Sequence, residues 1–208
     1  MATELARDAE LWRSLLALVM AALAVMGSPG PSTVSVTAVG AAYGFRRSVP
    51  YMSGLVAGTI AVLLAVAAGF VALLLSMPRL LPLLVAASVA YILYLAFRIA
   101  TAPPLARQER DAPAPSFAGG FLLGVANPKA YLAIAAVFAG ASLAAQAPIV
   151  DAAAKIVVLS AMIVFIHVFW LAIGVSLAAL FYDPVTSRRT NIVLALLLVA
   201  TLVVGLLP

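Results

Sequence analysis

"GVANPKAYLAI", residues 124–134, sets a proline and a lysine side by side in a stretch that is otherwise soluble in lipid. A helix breaker and an ammonium are both unfavourable there, so the fold turns on what surrounds them. Hydrophobic residues make up 66% of the 208 and charged residues 9%, and the mean hydropathy is +1.21. A soluble domain carries about 25% charged residues. This chain therefore lacks the polar surface that water demands. It reads as an all-α integral membrane protein of a single domain, residues 1–208, too small at 21.4 kDa to add a soluble catalytic module.

Six stretches approach the roughly 20 apolar residues that a helix needs to cross a bilayer: Ser14–Val39, Val49–Leu75, Leu80–Ile99, Gly119–Leu143, Ile156–Phe181 and Asn191–Leu207. Helices are expected because lone strands leave their backbone unsatisfied in lipid. Met77-Pro78-Arg79 joins the second and third spans so tightly that they must form a hairpin. The main polar break is "TAPPLARQERDAPAPS", residues 101–116. Its prolines and charges mark a surface linker, about 102–117, between a first triplet of spans, about 12–101, and a second, about 118–208. The first apolar run follows Glu4, Asp8 and Glu10 as well as Arg7 and Arg13. A signal peptide wants a positive start, so this run reads as a retained span.

The net charge of +5 comes from basic residues scattered among loops, without the runs and interleaved aromatics of a nucleic-acid interface. Arg46, Arg47, Arg107, Arg110, Arg188 and Arg189, with Arg98 at the inner end of span three, fall on one side. Arg7, Arg13, Arg79 and Lys155 fall on the other. The positive-inside rule then puts both termini outside the cytoplasm. With no cysteine, disulfides and thiolate metal sites are excluded.

Two triplets of helices can be related only if one is inverted, the architecture of many secondary transporters. One feature recurs. Span one is interrupted by "GSPGPS", residues 27–32, and span four by "ANPK", residues 126–129. Ser28 precedes Pro29, and Asn127 precedes Pro128, each pair being a cap residue followed by a proline that starts a helix. Each broken span should present a half-helix N-terminus, with unpaired amides and about half a positive charge, inside the membrane. In an inverted pair the two ends would face one another at a wet cavity suited to a carboxylate. No intramembrane Asp or Glu is available to Lys129, since Asp151 and Asp183 sit at span ends. The expectation is that a ligand supplies its anion; the alternative is a lysine that snorkels to the interface.

"SPGPS" (28–32), "YILYLAFR" (91–98) and "GFLLGVANPKAYLAI" (120–134) resemble the lysine-exporter family, LysE/RhtB, of amino-acid efflux proteins. The resemblance implies export of amino acids from a bacterial cytoplasm, driven by an ion gradient with the proton as the expected coupling ion. It carries over Pro29, Gly30, Pro31, Asn127, Pro128 and Lys129 as functional residues. Where the family often has a phenylalanine-rich stretch ending in proline-glutamine, this chain has "AVFAGASLAAQAP" (136–148), which leaves the substrate open. The candidate substrate site is thus Ser28, Pro29, Gly30, Pro31, Ser32, Asn127, Pro128, Lys129 and Tyr131. Neutral amino acids are favoured over dibasic ones, whose second cation would find no carboxylate. His167, the one histidine, is the candidate proton carrier, against a purely structural hydrogen-bonding role.

Tyr51, Tyr91, Tyr94 and Trp170 are further pathway candidates, and Trp12, Tyr43 and Tyr182 fit an interfacial belt. The glycine pairs Gly40–Gly44, Gly54–Gly58 and Gly120–Gly124 favour close packing within the monomer over a dimer face, leaving a homo-oligomer open. A divalent-metal exporter would need oxygen or sulfur ligands in the spans, and a non-transporting scaffold would leave the paired breaks unexplained. No cofactor, metal site or enzymatic constellation is expected.

Overall fold

The computed structural model describes residues 2–69, 80–101, 114–177 and 184–206. The hairpin at Met77-Pro78-Arg79, nearly all of the linker, Tyr182 and Asp183 lie outside the described residues, as do the side chains of Tyr91 and Arg98. Among the described residues there is no strand.

Helix α1, Ala2–Ala21, starts well before the apolar run, because "ATELARDAEL" is itself rich in strong helix formers. It passes into a π turn, Ala22–Met26, closed by the Gly27 amide on Ala22 O at 3.1 Å. After a break, α2 runs from Pro31 to Ala67, bent at Gly44, whose φ of 72° and ψ of 174° fall in a region open only to glycine. This bend falls between the stretches expected as spans one and two. Then follow α3 (Leu80–Ala100), α4 (Phe117–Ala126), α5 (Pro128–Ala139), α6 (Pro148–Ser176) and α7 (Pro184–Leu206).

Asp8–Met26, α2 and α6 are each long and apolar enough to cross a membrane. The pair α4–α5, bent by 60° at Asn127, makes a fourth crossing if it is taken as one broken span. Trp12, at 68% exposure, and Leu16, Met20, Leu122, Leu132 and Phe165 point outward. Such a surface is unfavourable in water and suits a hydrocarbon solvent.

Lipid offers no hydrophobic drive for helices to associate, so close backbone approach has to supply the packing. The α2–α4 seam shows how. A Cβ on Gly124 would lie 2.9 Å from Leu55 O and 3.0 Å from Thr59 N, and one on Gly58 would lie 3.1 Å from Gly124 Cα. Gly54 and Gly120 abut the backbone of Phe117 and Tyr51. Two of the expected glycine pairs therefore face each other within one monomer. The Gly40–Gly44 pair does not act as a seam: Gly40 packs on Leu171, while Gly44 has open space around it and makes the bend. Elsewhere α6 lies on α2 through Gly174 against Thr37, and α3 packs on α7.

Candidate functional site

The two breaks meet. Asn127, in extended backbone with ψ of 105°, caps α5: its Oδ1 accepts from the Lys129 amide at 3.1 Å. Its Nδ2 donates to Ser32 Oγ in the first turn of α2 at 2.7 Å. The half-helix start at Asn127-Pro128 thus behaves as the cap-and-proline signal requires, and it faces the start of α2.

At the other break the start falls later than Ser28-Pro29. Gly30 is the N-cap, fully extended, with Pro31 at the first helical position. Thr33 Oγ1 accepts from the Gly30 amide at 2.9 Å and donates to Gly30 O at 3.1 Å. Ser28 cannot cap because its hydroxyl is engaged behind it, donating to Val25 O at 2.8 Å. Thr33, three residues after the cap, was the readable signal for this register. The first helical bond of α2 runs from the Val34 amide to Gly30 O. The Ser32 and Thr33 amides precede it and have no backbone acceptor, which leaves the electropositive end of the helix open.

Lys129 is not a cation waiting for a ligand. Its Nζ donates to Ser28 O and Ser28 Oγ, both at 2.7 Å, and to Pro29 O at 2.9 Å. All three protons are therefore engaged without any carboxylate. Nor does the side chain snorkel away: it crosses directly from α5 to the break in span one. The missing Cβ of Gly30 makes room for it, since that atom would lie 2.7 Å from Lys129 Cδ and 2.9 Å from Nζ. Sequence reasoning missed these partners because carbonyls carry no sequence signature.

A cavity of about 430 Å³, counted out to its mouth, opens where these elements converge. Ser28, Gly30, Ser32, Asn127, Lys129 and His167 line it, so residues from both breaks share one cavity. Thr33, Thr59 and an apolar wall that includes Met26, Ala133 and Ile163 complete it. That wall was unreadable in a chain where most positions are apolar. Pro29, Pro31 and Pro128 shape the backbone without lining the cavity, and Tyr131 does not line it either: it packs against an apolar cluster that includes Leu159 and Ile163. Tyr51 is buried with its hydroxyl on Ser35 Oγ at 3.1 Å, Tyr94 is exposed, and Trp170 Nε1 donates to Gly27 O at 3.0 Å, steadying the break. Among the described residues no group of three His, Cys, Asp or Glu could hold a metal ion.

Lys155, read from sequence as a loop charge, is 7% exposed and holds the far end of α5. Its Nζ meets Asp151 Oδ2 at 2.7 Å and donates to Phe138 O at 2.9 Å and Ala141 O at 3.1 Å. Asp151 Oδ1 in turn accepts from the Ala144 amide at 2.9 Å. Replacing Lys155 with methionine should strand this carboxylate and two carbonyls, lowering stability by about 3–5 kcal/mol. Thermal unfolding in detergent would read it. An unchanged midpoint would mean that the pair contributes nothing.

Interrupted apolar helices around a cavity are an arrangement that many secondary transporters share. The chain belongs to the family of LysE type translocators, whose profile matches residues 23–207. It is 32% identical over 173 residues to the cysteine/O-acetylserine efflux protein of Escherichia coli O1:K1 / APEC, covering 83% of this chain and 87% of that one. The protein of the same description from Salmonella choleraesuis (strain SC-B67) is 34% identical over 86 residues, 41% of this chain and only 44% of the relative. No solved structure matches the chain.

Proposed function

We propose that this translocator exports small neutral amino acids from the bacterial cytoplasm by alternating access. The observation that carries the reading is the cavity at the meeting point of the two breaks. It has a helix N-terminus and an ammonium at one end, an apolar wall, and no carboxylate among its lining residues. The substrate carboxylate is received by the open amides of Ser32 and Thr33 beside Lys129. A second positive charge on a dibasic side chain would find no partner in the wall. Relatives described as cysteine/O-acetylserine efflux proteins support a small neutral cargo.

Six spans in two inverted triplets, with both termini outside, give the exporter its two access states. Two features support this arrangement: the first span of each triplet is the broken one, and α3 and α7, the third helices, pack on each other. The exposed Arg46, Arg188 and Arg189 then face the cytoplasm of the inner membrane. An inward proton gradient drives export, provided that the two states bind cargo differently.

The test is efflux from proteoliposomes loaded with labelled serine, cysteine, O-acetylserine or lysine under an imposed pH gradient, with and without an uncoupler. The neutral compounds should leave and lysine should stay, and the uncoupler should abolish the driven component. Retention of every amino acid would overturn the reading, and preferential loss of lysine would overturn its substrate class.

A further inference from the structure

His167 is 4% exposed, lies on α6 and lines the cavity. Its Nδ1 sits 2.8 Å from Ile163 O. A carbonyl can only accept, so Nδ1 carries a proton, and in the neutral ring Nε2 carries a lone pair. That Nε2 is buried and has no hydrogen-bond partner. A buried acceptor left unmatched is uncommon, because the loss of water is not compensated.

The other polar side chains of the wall each already take part in a hydrogen bond. Ser32 Oγ accepts from Asn127, Thr59 Oγ1 donates to Leu55 O at 2.8 Å, and Thr33 is tied to Gly30. Among the described residues, Lys129, reaching in from α5, is the only other charged or titratable side chain on the wall; α1, its π turn and α2 contribute none. A zwitterion with its carboxylate at the first turn of α2 therefore finds in Nε2 a nitrogen acceptor that no protein group occupies.

We infer that His167 Nε2 accepts a hydrogen bond from the substrate α-ammonium, and that the same lone pair is the site of the coupling proton. This rests on the amino-acid export reading. The two occupants exclude each other. A proton on Nε2 makes an imidazolium, which repels an ammonium and has no lone pair left to accept from it. Release of that proton restores the lone pair and admits the cargo. No covalent bond to the substrate forms or breaks, and one proton exchanges for one amino acid.

The experiment measures exchange of labelled L-serine by the purified protein in proteoliposomes between pH 5.5 and 8. N-acetyl-L-serine, which lacks the ammonium, serves as the second probe. For the wild type, the serine KM should rise as pH falls, since protonation occupies the acceptor, and N-acetyl-L-serine should not be exchanged. His167→Leu should raise the serine KM roughly tenfold or more, the worth of a hydrogen bond to a charged group, and flatten its pH dependence. His167→Gln supplies a carbonyl acceptor that does not titrate, so it should recover part of the affinity and none of the pH dependence. Both variants are compared as monodisperse species of equal thermal midpoint to within a few degrees. If the variants keep the wild-type KM and pH profile, the inference fails while export stands. If the wild type exchanges no neutral amino acid, both fail together.

Discussion

Lys129→Ala is expected to bring neutral amino-acid efflux down to the level of empty liposomes, a loss of roughly a hundredfold or more. The ammonium makes three hydrogen bonds to the break in span one, each of a kind worth about 1.5–3 kcal/mol. It also places a full positive charge beside the amides proposed to receive a carboxylate. Alanine removes the charge, leaves Pro29 O without a donor and leaves Ser28 O only a long 3.5 Å bond from Thr33 Oγ1, so the break should loosen as well. A lower thermal midpoint is therefore expected along with the lost transport. This differs from what an unpaired charge would do, since removing one should leave folding untouched or improve it. Ser28→Ala keeps both backbone acceptors and should be milder, retaining measurable efflux. Efflux is read per folded protein, from the monodisperse fraction. Lys129→Ala transporting at more than half the wild-type rate would remove this residue from the mechanism.

Gly120→Leu is expected to abolish recovery of folded protein. At this position even a Cβ would press on the backbone of Tyr51, and it would lie 2.9 Å from Leu55 N. Backbone on both sides cannot yield as a side chain could, so α2 and α4 would have to separate along the glycine seam. Overpacking typically destabilises by about 1–3 kcal/mol and occasionally more, and contact with backbone on both sides puts this case at the upper end. Ala118→Leu, two residues away at an exposed position of the same helix, adds comparable bulk toward lipid and should be silent. Size-exclusion profiles of the two variants in detergent make the comparison. A monodisperse Gly120→Leu protein with a wild-type midpoint would show that the seam is not tight.

The site was legible to the extent that local chemistry dictates it. Asn127 before Pro128 reads as a helix start in any context, because the cap and the preset φ act within one turn. The same logic misplaced the other start, at Ser28-Pro29 instead of Gly30-Pro31. Two prolines within three residues offer two registers, and the choice fell to partners far along the chain: Lys129 claims the Ser28 hydroxyl and the carbonyls around it. Tyr131 failed as a cavity candidate for a related reason. Nearness in sequence to Lys129 says nothing of which face of α5 looks inward, and that face is set by how α5 packs on its neighbours.

By itself the sequence determined that the chain is helical and membrane-borne, that its first and fourth apolar stretches are interrupted, and that no embedded carboxylate balances the lysine. These follow from composition, chain length and proline stereochemistry, all of which act locally or through the solvent. Only the tertiary structure decided that the ammonium spends its protons on the opposite break, that four glycines form one seam, and that a buried nitrogen of an imidazole on the cavity wall is left without a partner. Each of these depends on which backbone groups of distant segments come within a few ångströms, and an almost uniformly apolar chain does not write that information into residue type.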